Sequence, residues 1–264
     1  LTSILITKAM TDRAVAALNM DFDVTSLVGA PEPKKILDQI GEKIKGIAGG
    51  KVNGATIAAL PHLEIIANSG VGVDSNDMPA ARARKIRVTN TPDVLNVSVA
   101  ELTLGLMLAL ARKIPQSDSF VRDGGWSNST FSLGCELKGK KVGLLGLGRI
   151  GKEIALRLEA FQMQISYHSR NKQGGCNYHY FDNLEEMASH SDWLIVIAPA
   201  NTSTNGIVSR KILEELGSEG RLVNVARGSL VDQTALIDLL KNGGLKAAAL
   251  DVFDNEPNVP NALC

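Results

Sequence analysis

The composition and charge of the chain describe a globular protein with no electrostatic preference for polyanions. Its 264 residues are 44% hydrophobic and 21% charged, which suffices to bury a sizeable core and to form two domains. The 28 basic and 28 acidic side chains give a formal net charge of zero, so neither nucleic acid nor an anionic membrane is an expected partner. The longest apolar stretch, 102–111, is about half the length that a bilayer requires, and residues 1–4 do not resemble a signal peptide, so we expect a cytoplasmic protein.

The three cysteines are an odd number and lie far apart, at Cys135, Cys176 and Cys264. Their positions have no metal-ligand spacing, so neither a disulfide framework nor a zinc site is expected. We therefore expect free thiols and no bound metal.

Short apolar runs alternate with helical patterns along the first third of the chain. Such an alternation is typical of a small parallel α/β domain. The pattern predicts helices at 12–18 and 33–40, and strands at 4–6, 22–27, 44–48, 63–67 and 86–89.

An apolar-rich segment of good helix formers follows at 94–114, bracketed by Pro92 and Pro115. It predicts a long helix that links two domains. A plain buried helix is an equally compatible interpretation, because a helix between two domains would also be apolar on most faces.

A second alternating set begins at Val142 and predicts a doubly wound sheet. The helical pattern after its first strand covers 152–161. Its further strands are predicted at 165–167, 193–197, 222–225 and 245–250.

The glycines of 146–151 directly follow the apolar run 141–145 and have the spacing of a dinucleotide-binding turn. Gly146 would permit a tight turn, Gly148 would let the backbone approach a pyrophosphate, and Gly151 would let the helix pack against the strand. The phosphates would lie at a helix N-terminus, which favours anions. The alternative is an ordinary glycine-rich loop.

The end of the next strand indicates which dinucleotide would bind. An acid is expected there if the ribose 2′-hydroxyl of NAD is to be held, but the chain reads His168, Ser169, Arg170, Asn171 and Lys172. A hydroxyl, a guanidinium and an ammonium suit a 2′-phosphate, which favours NADP over NAD. The alternative is that the two cations form only a solvated basic loop.

Three motifs in order, at 146–151, 222–232 and 250–257, resemble the D-isomer-specific 2-hydroxyacid dehydrogenase family. The resemblance extends into the first domain at 67–74 and 88–92. The segment 167–170 is most similar to the NADPH-dependent glyoxylate and hydroxypyruvate reductase branch.

This resemblance implies an α/β fold of two Rossmann-like domains joined by a long helix. A flavodoxin-like substrate-binding domain would cover 1–93, and a doubly wound NAD(P)-binding domain would cover 94–264 and include the linking helix 94–114. The implied reaction transfers hydride from NADPH to a small 2-keto acid, such as glyoxylate or hydroxypyruvate, to give the D-2-hydroxy acid. Relatives form homodimers through the linking region, so 124–133 with Trp126 is a candidate interface, although packing within one chain is equally possible.

The resemblance also implies roles for individual residues. Arg227 matches the catalytic arginine, whose fork of donors can address the carboxylate and the keto oxygen together. Glu256 matches the glutamate that orients the catalytic histidine and raises its proton affinity. The backbone amides of Val71 and Gly72 match a carboxylate cradle, and Lys51 is either a charged helper or a solvated loop lysine.

The cofactor-binding residues are expected at the carboxyl ends of the strands, which face one crevice in an open α/β sheet. Asp251 matches a partner of the nicotinamide amide, and His168 is expected beside the adenosine. The full set is Gly146, Leu147, Gly148, Arg149, Ile150, Gly151, His168, Ser169, Arg170, Ala198, Pro199, Thr204, Val225, Ala226, Arg227 and Asp251.

The chain departs from the family pattern in one respect. The histidine that pairs with Glu256 should follow some tens of residues later, but the sequence stops at Cys264. We therefore expect a truncated sequence that also lacks the C-terminal segment that normally completes the first domain. A non-catalytic dinucleotide-binding regulatory protein is the alternative function, and the presence of Arg227 and Glu256 favours the enzyme.

Overall fold

The computed structural model describes all residues, 1–264, and divides into two compact units, Leu1–Leu95 and Asn96–Cys264. Each unit contains one parallel β-sheet with helices, so the predicted α/β class with two Rossmann-like sheets is confirmed. No helix of the chain combines the length and the apolar character that crossing a membrane would require.

The first unit has a five-stranded sheet in the order β2-β1-β3-β4-β5, with every neighbouring pair parallel. The strand order reverses between β1 and β3, which is where open α/β sheets bind ligands. The strands are β1 (Thr2–Ile6), β2 (Phe22–Ser26), β3 (Ile44–Gly49), β4 (Ile65–Asn68) and β5 (Arg87–Thr89). The helices are α1 (Asp12–Asp21), α2 (Pro33–Ile40), α3 (Gly54–Ala58) and α4 (Met78–Ala83).

The core of this unit lies where the central strands meet the helices. Leu5, Ile47 and Ile66 of the three central strands are buried together with Ile57 of α3 and Ala81 of α4. Burial of both sheet faces explains why these strands read as continuous apolar runs rather than as alternating patterns.

The second unit has a six-stranded parallel sheet in the order β11-β10-β9-β6-β7-β8, whose strand order reverses between β6 and β9. The strands are β6 (Lys141–Leu145), β7 (Gln164–His168), β8 (His179–Phe181), β9 (Trp193–Val196), β10 (Arg221–Asn224) and β11 (Ala247–Leu250). The helices are α5 (Asn96–Arg112), α6 (Ile114–Arg122), α7 (Arg149–Ala160), α8 (Leu184–Ser189), α9 (Arg210–Leu216) and α10 (Gln233–Asn242).

Two elements of this unit differ from the sequence-based expectation. The helix predicted over 94–114 corresponds to α5, which covers only Asn96–Arg112, because Lys113 adopts a left-handed conformation (φ 53°) and a separate helix, α6, begins at Ile114 with Pro115 in its first turn. Proline lacks the N–H that continuing α5 would need. The three-residue strand β8 was not predicted, because so short a run carries no usable periodicity.

Candidate active site

The glycine-rich turn joins β6 to α7 at the point where the strand order reverses. Gly146 has a φ of 110°, and a Cβ placed on it would lie 2.9 Å from the amide nitrogen of Ala198, in the loop after β9. A Cβ on Gly151 would overlap the carbonyl oxygen of Gly146. Larger residues would therefore push α7 away from the strand ends.

Gly148 has a different environment that fits a bound pyrophosphate. It is exposed, precedes α7, and a Cβ on it would meet no atom within 4 Å. No side-chain hydrogen bond caps the helix there, at the end where the backbone amides of the first turn have no intrahelical acceptor. Leu147 packs into the buried core and anchors the turn, while Arg149 is exposed and Ile150 is half-buried.

The end of β7 presents the residues that were predicted to select the cofactor. His168 is half-buried, and its Nδ1 lies 3.0 Å from the carbonyl oxygen of Phe181. The Ser169 hydroxyl donates to the Asn171 carbonyl at 2.7 Å and closes a tight turn. Arg170 and Lys172 are exposed and make no ion pair, so both charges are free to meet an anion.

Two tyrosines that sequence reasoning did not single out hold this loop. The buried Tyr167 hydroxyl accepts from the Gln173 amide at 2.9 Å, and the Tyr180 hydroxyl donates to the Ser169 carbonyl at 3.2 Å. Burial is the main reason that the pKa of Tyr167 is raised. Tyr167 and Tyr180 are cross-strand partners in β7 and β8, so recognising β8 would have revealed the pair.

A threonine hydroxyl connects two segments of the loop after β9. The Thr204 hydroxyl donates to the Pro199 carbonyl at 2.9 Å and accepts from the Asn201 amide at 2.9 Å. Ala198 at the start of this loop lies against Gly146. Ala198 is therefore adjacent to the glycine-rich turn, and Thr204 fixes the shape of the loop.

Arg227 lies just beyond β10, and hydrogen bonds from a side chain of that strand hold its backbone. The buried Asn224 side chain accepts from the Ala226 amide at 3.0 Å and donates to the Arg227 carbonyl at 2.9 Å. The Arg227 side chain is exposed, and its Nη1 donates to the Ala226 carbonyl at 2.6 Å. Val225 and Ala226 are buried, so only the guanidinium of this segment reaches outward.

The segment that carries Asp251 and Glu256 lies against the arginine loop. A Cβ on Gly228 would overlap the Phe253 carbonyl, so only glycine lets the two backbones approach so closely. The Glu256 carboxylate is exposed and accepts from the Phe253 amide at 3.0 Å. Asp251 follows β11 and is also exposed, with its backbone amide bonded to the Asn224 carbonyl at 3.0 Å.

In the first unit, the predicted carboxylate-binding residues follow β3 and β4, beside the point of strand reversal. Lys51 is exposed and adopts a left-handed φ of 59°. Val71 and Gly72 are half-buried residues, and their N–H groups donate to no protein acceptor. Adjacent backbone amides that have no protein acceptor are donors available to an anion.

Comparison with known proteins places this geometry in a family. The family model for the NAD binding domain of D-isomer specific 2-hydroxyacid dehydrogenases matches residues 104–264. Hydroxyphenylpyruvate reductase of Plectranthus scutellarioides is 43% identical over 236 residues, which are 88% of this chain and 75% of that protein. The chain belongs to the D-isomer specific 2-hydroxyacid dehydrogenase family.

Other members of this dehydrogenase family are similar over most of their length. Glyoxylate/hydroxypyruvate reductase A of Arabidopsis thaliana is 41% identical over 249 residues, 93% of this chain and 80% of that protein. The structure of an NADPH-dependent glyoxylate/hydroxypyruvate reductase from Sinorhizobium meliloti, in complex with NADP and malonate, is 43% identical. It superimposes with a TM-score of 0.90 and covers 99% of this chain and 82% of that one.

These relatives confirm that this 2-hydroxyacid dehydrogenase is an NAD(P)-dependent oxidoreductase. They give no support to the alternative of a non-catalytic regulatory protein. The individual site residues stay predictions, and their roles are part of the proposal that follows.

Proposed function

We propose that this dehydrogenase uses NADPH to reduce a small 2-keto acid, such as glyoxylate or hydroxypyruvate, to the D-2-hydroxy acid. The observation that carries the cofactor preference is the loop after β7, where Arg170 is exposed and unpaired and no acid occupies the strand end. A carboxylate there would repel a 2′-phosphate, whereas a guanidinium binds it with charge-assisted hydrogen bonds. The names of the relatives support the substrate class.

The cofactor would lie along the strand ends of the second unit. Its pyrophosphate would lie at the N-terminus of α7 beside Gly148, and its adenosine would lie near His168. The loops that begin at Ala198 and Val225 would border the nicotinamide, with Asp251 as an acceptor for its amide. When bound, NADPH supplies the hydride.

Arg227 would bind the carboxylate and the keto oxygen of the substrate. Its guanidinium polarises the ketone and stabilises the negative charge that develops on that oxygen during hydride attack. The amides of Val71 and Gly72 would also hold the carboxylate, and Lys51 would add positive charge.

Glu256 would orient the group that protonates the forming alkoxide. Its carboxylate is fixed by the Phe253 amide, which leaves the remaining lone pairs to accept from an imidazole N–H. An adjacent carboxylate raises the proton affinity of an imidazole and so prepares it as a general acid.

Product analysis tests the proposed reaction. The protein expressed from its complete coding sequence is mixed with NADPH and either glyoxylate, hydroxypyruvate or a bulkier aryl pyruvate, and the chirality of each chiral product is determined. We expect reduction of the small acids and only D products. Exclusive L products, or a strict requirement for the aryl group, would contradict the proposal.

We also propose a homodimer that forms through the segment after α6. Trp126 is 74% exposed and Leu133 is 93% exposed, and both follow the half-exposed Val121 of α6. Exposed large apolar side chains, aromatic ones above all, are enriched at protein interfaces. The cytoplasmic location stays a prediction from the sequence.

Replacing Trp126 and Leu133 by serine is expected to convert the dimer into a monomer, because the substitutions remove the apolar contact area. Light scattering coupled to size-exclusion chromatography measures the mass. Met20→Ser, at a residue that is 76% exposed in the first unit, is the matched control and should remain dimeric. A monomeric unmodified protein, or a double variant that stays dimeric, would refute the proposal.

A further inference from the structure

Three consecutive carbonyl groups of the proposed carboxylate cradle accept hydrogen bonds from asparagine side chains. The Asn68 amide donates to the carbonyls of Gly70 and Gly72, both at 3.0 Å. The Asn90 amide donates to the intervening Val71 carbonyl at 2.9 Å. These bonds fix the carbonyl directions of the loop, and therefore the directions of its amides.

Asn68 is supported by a second asparagine in the interior. Asn76 donates to the Asn68 side-chain oxygen at 3.0 Å and to the Val73 carbonyl at 3.3 Å. Both side chains are nearly inaccessible, with 5% of Asn68 and 6% of Asn76 exposed. The orientation of the Asn68 amide follows from its partners, because a flipped amide would set its oxygen against two carbonyl oxygens.

The same pair also holds the loop that carries Lys51. The Asn76 side-chain oxygen accepts from the Val52 amide at 3.2 Å. A Cβ on Gly50 would overlap the Asn68 side-chain oxygen, so Lys51 is preceded by a glycine that leaves room for the pair. Asn68 and Asn76 thus connect the two segments that we assign to carboxylate binding.

Two backbone amides of this loop take no part in the hydrogen bonds made by the asparagines and are available to a ligand. The carbonyls of 70–72 are engaged by the asparagines, whereas the Val71 and Gly72 N–H groups have no protein acceptor. Donors that are fixed before a ligand arrives bind an anion without the entropy cost of ordering the loop.

We propose that Asn68 and Asn76 are positioning residues that hold the Val71 and Gly72 amides, and the Lys51 loop, in the conformation that binds the substrate carboxylate. This inference rests on the proposed function, since it assumes a 2-keto acid as the ligand. Neither side chain touches the substrate. Their effect is on substrate affinity rather than on the hydride-transfer step.

Asn76→Asp tests the proposal with almost no change in side-chain size. The substitution removes both donors of Asn76 and sets an oxygen against the Asn68 oxygen, while it keeps the acceptor for Val52. We expect the KM for glyoxylate to rise about tenfold, with little change in kcat or in the NADPH dissociation constant. Asn90→Asp is the second variant, because Asn90 is exposed and its single bond can be removed without disturbing the interior.

Asn19→Asp is the matched control in the same unit. The Asn19 amide also donates to one backbone carbonyl, that of Val15 at 2.9 Å, but on the exposed helix α1. It should leave every kinetic constant unchanged. A lower melting temperature of Asn76→Asp with an unchanged KM would overturn the positioning role, as would an unchanged KM of a well-folded Asn90→Asp. The unmodified protein is assayed in parallel, and its failure to reduce any 2-keto acid would refute the proposed function instead.

Discussion

Arg227→Gln is expected to lower kcat for glyoxylate reduction by about a thousandfold or more, with NADPH affinity retained within about threefold. Glutamine is similar to arginine in length, but it carries no charge and cannot donate parallel hydrogen bonds to a carboxylate and a keto oxygen. Stopped-flow measurement of NADPH binding, followed by single-turnover kinetics, separates the two effects.

The position of Arg227 makes this variant informative about chemistry rather than folding. Its backbone is held by the buried Asn224, and the guanidinium itself is exposed. Arg221→Gln is the control on the same strand, because Arg221 begins β10 at the opposite end and lies 5.2 Å from the Trp193 ring centroid. Turnover by Arg227→Gln that matches the Arg221→Gln control would refute the catalytic role.

Arg170→Ala is expected to raise the KM for NADPH by about ten- to a hundredfold and to leave the KM for NADH nearly unchanged. The reason is that, in the proposed cofactor site, the guanidinium would contact the 2′-phosphate, which NADH lacks. The proposed preference for NADPH over NADH, measured as the ratio of kcat/KM values, should fall by the same factor.

Arg210→Ala is the matched control for cofactor selection. Arg210 is an exposed arginine of the same unit whose charge is engaged by Asp238 at 2.8 Å, and the adjacent carboxylates raise its pKa. It should change neither KM. An equal rise in KM for NADPH and for NADH in Arg170→Ala would show that Arg170 stabilises the loop and does not bind the 2′-phosphate.

The sequence predicted the parts of the fold whose physical causes are local. Gly146 was predicted to form a tight turn, Gly148 to leave the backbone accessible, and Gly151 to let the helix pack against the strand. The structure shows each of these features. Pro115, which bounds the predicted helix 94–114, is also a local signal, and α5 ends at Arg112, three residues before it.

The features that sequence reasoning missed depend on contacts between distant segments. The role of Asn68 and Asn76 depends on the two loops that they connect. In the sequence alone, an isolated asparagine is typical of any turn. The pairing of Tyr167 with Tyr180 required the register of β7 on β8, which residue spacing could not supply. Residue type thus predicted the candidate ligand contacts but not the side chains that hold them.

The most direct test of the account is the rate at which the protein, expressed from its complete coding sequence, oxidises NADPH and NADH in the presence of glyoxylate or hydroxypyruvate. The absorbance of the reduced nicotinamide reports both the reaction and the cofactor preference. We expect turnover with both acids and a higher kcat/KM for NADPH than for NADH. Binding of NADPH without turnover of either acid would contradict the proposed reaction, and turnover with NADH alone would contradict the assignment of Arg170.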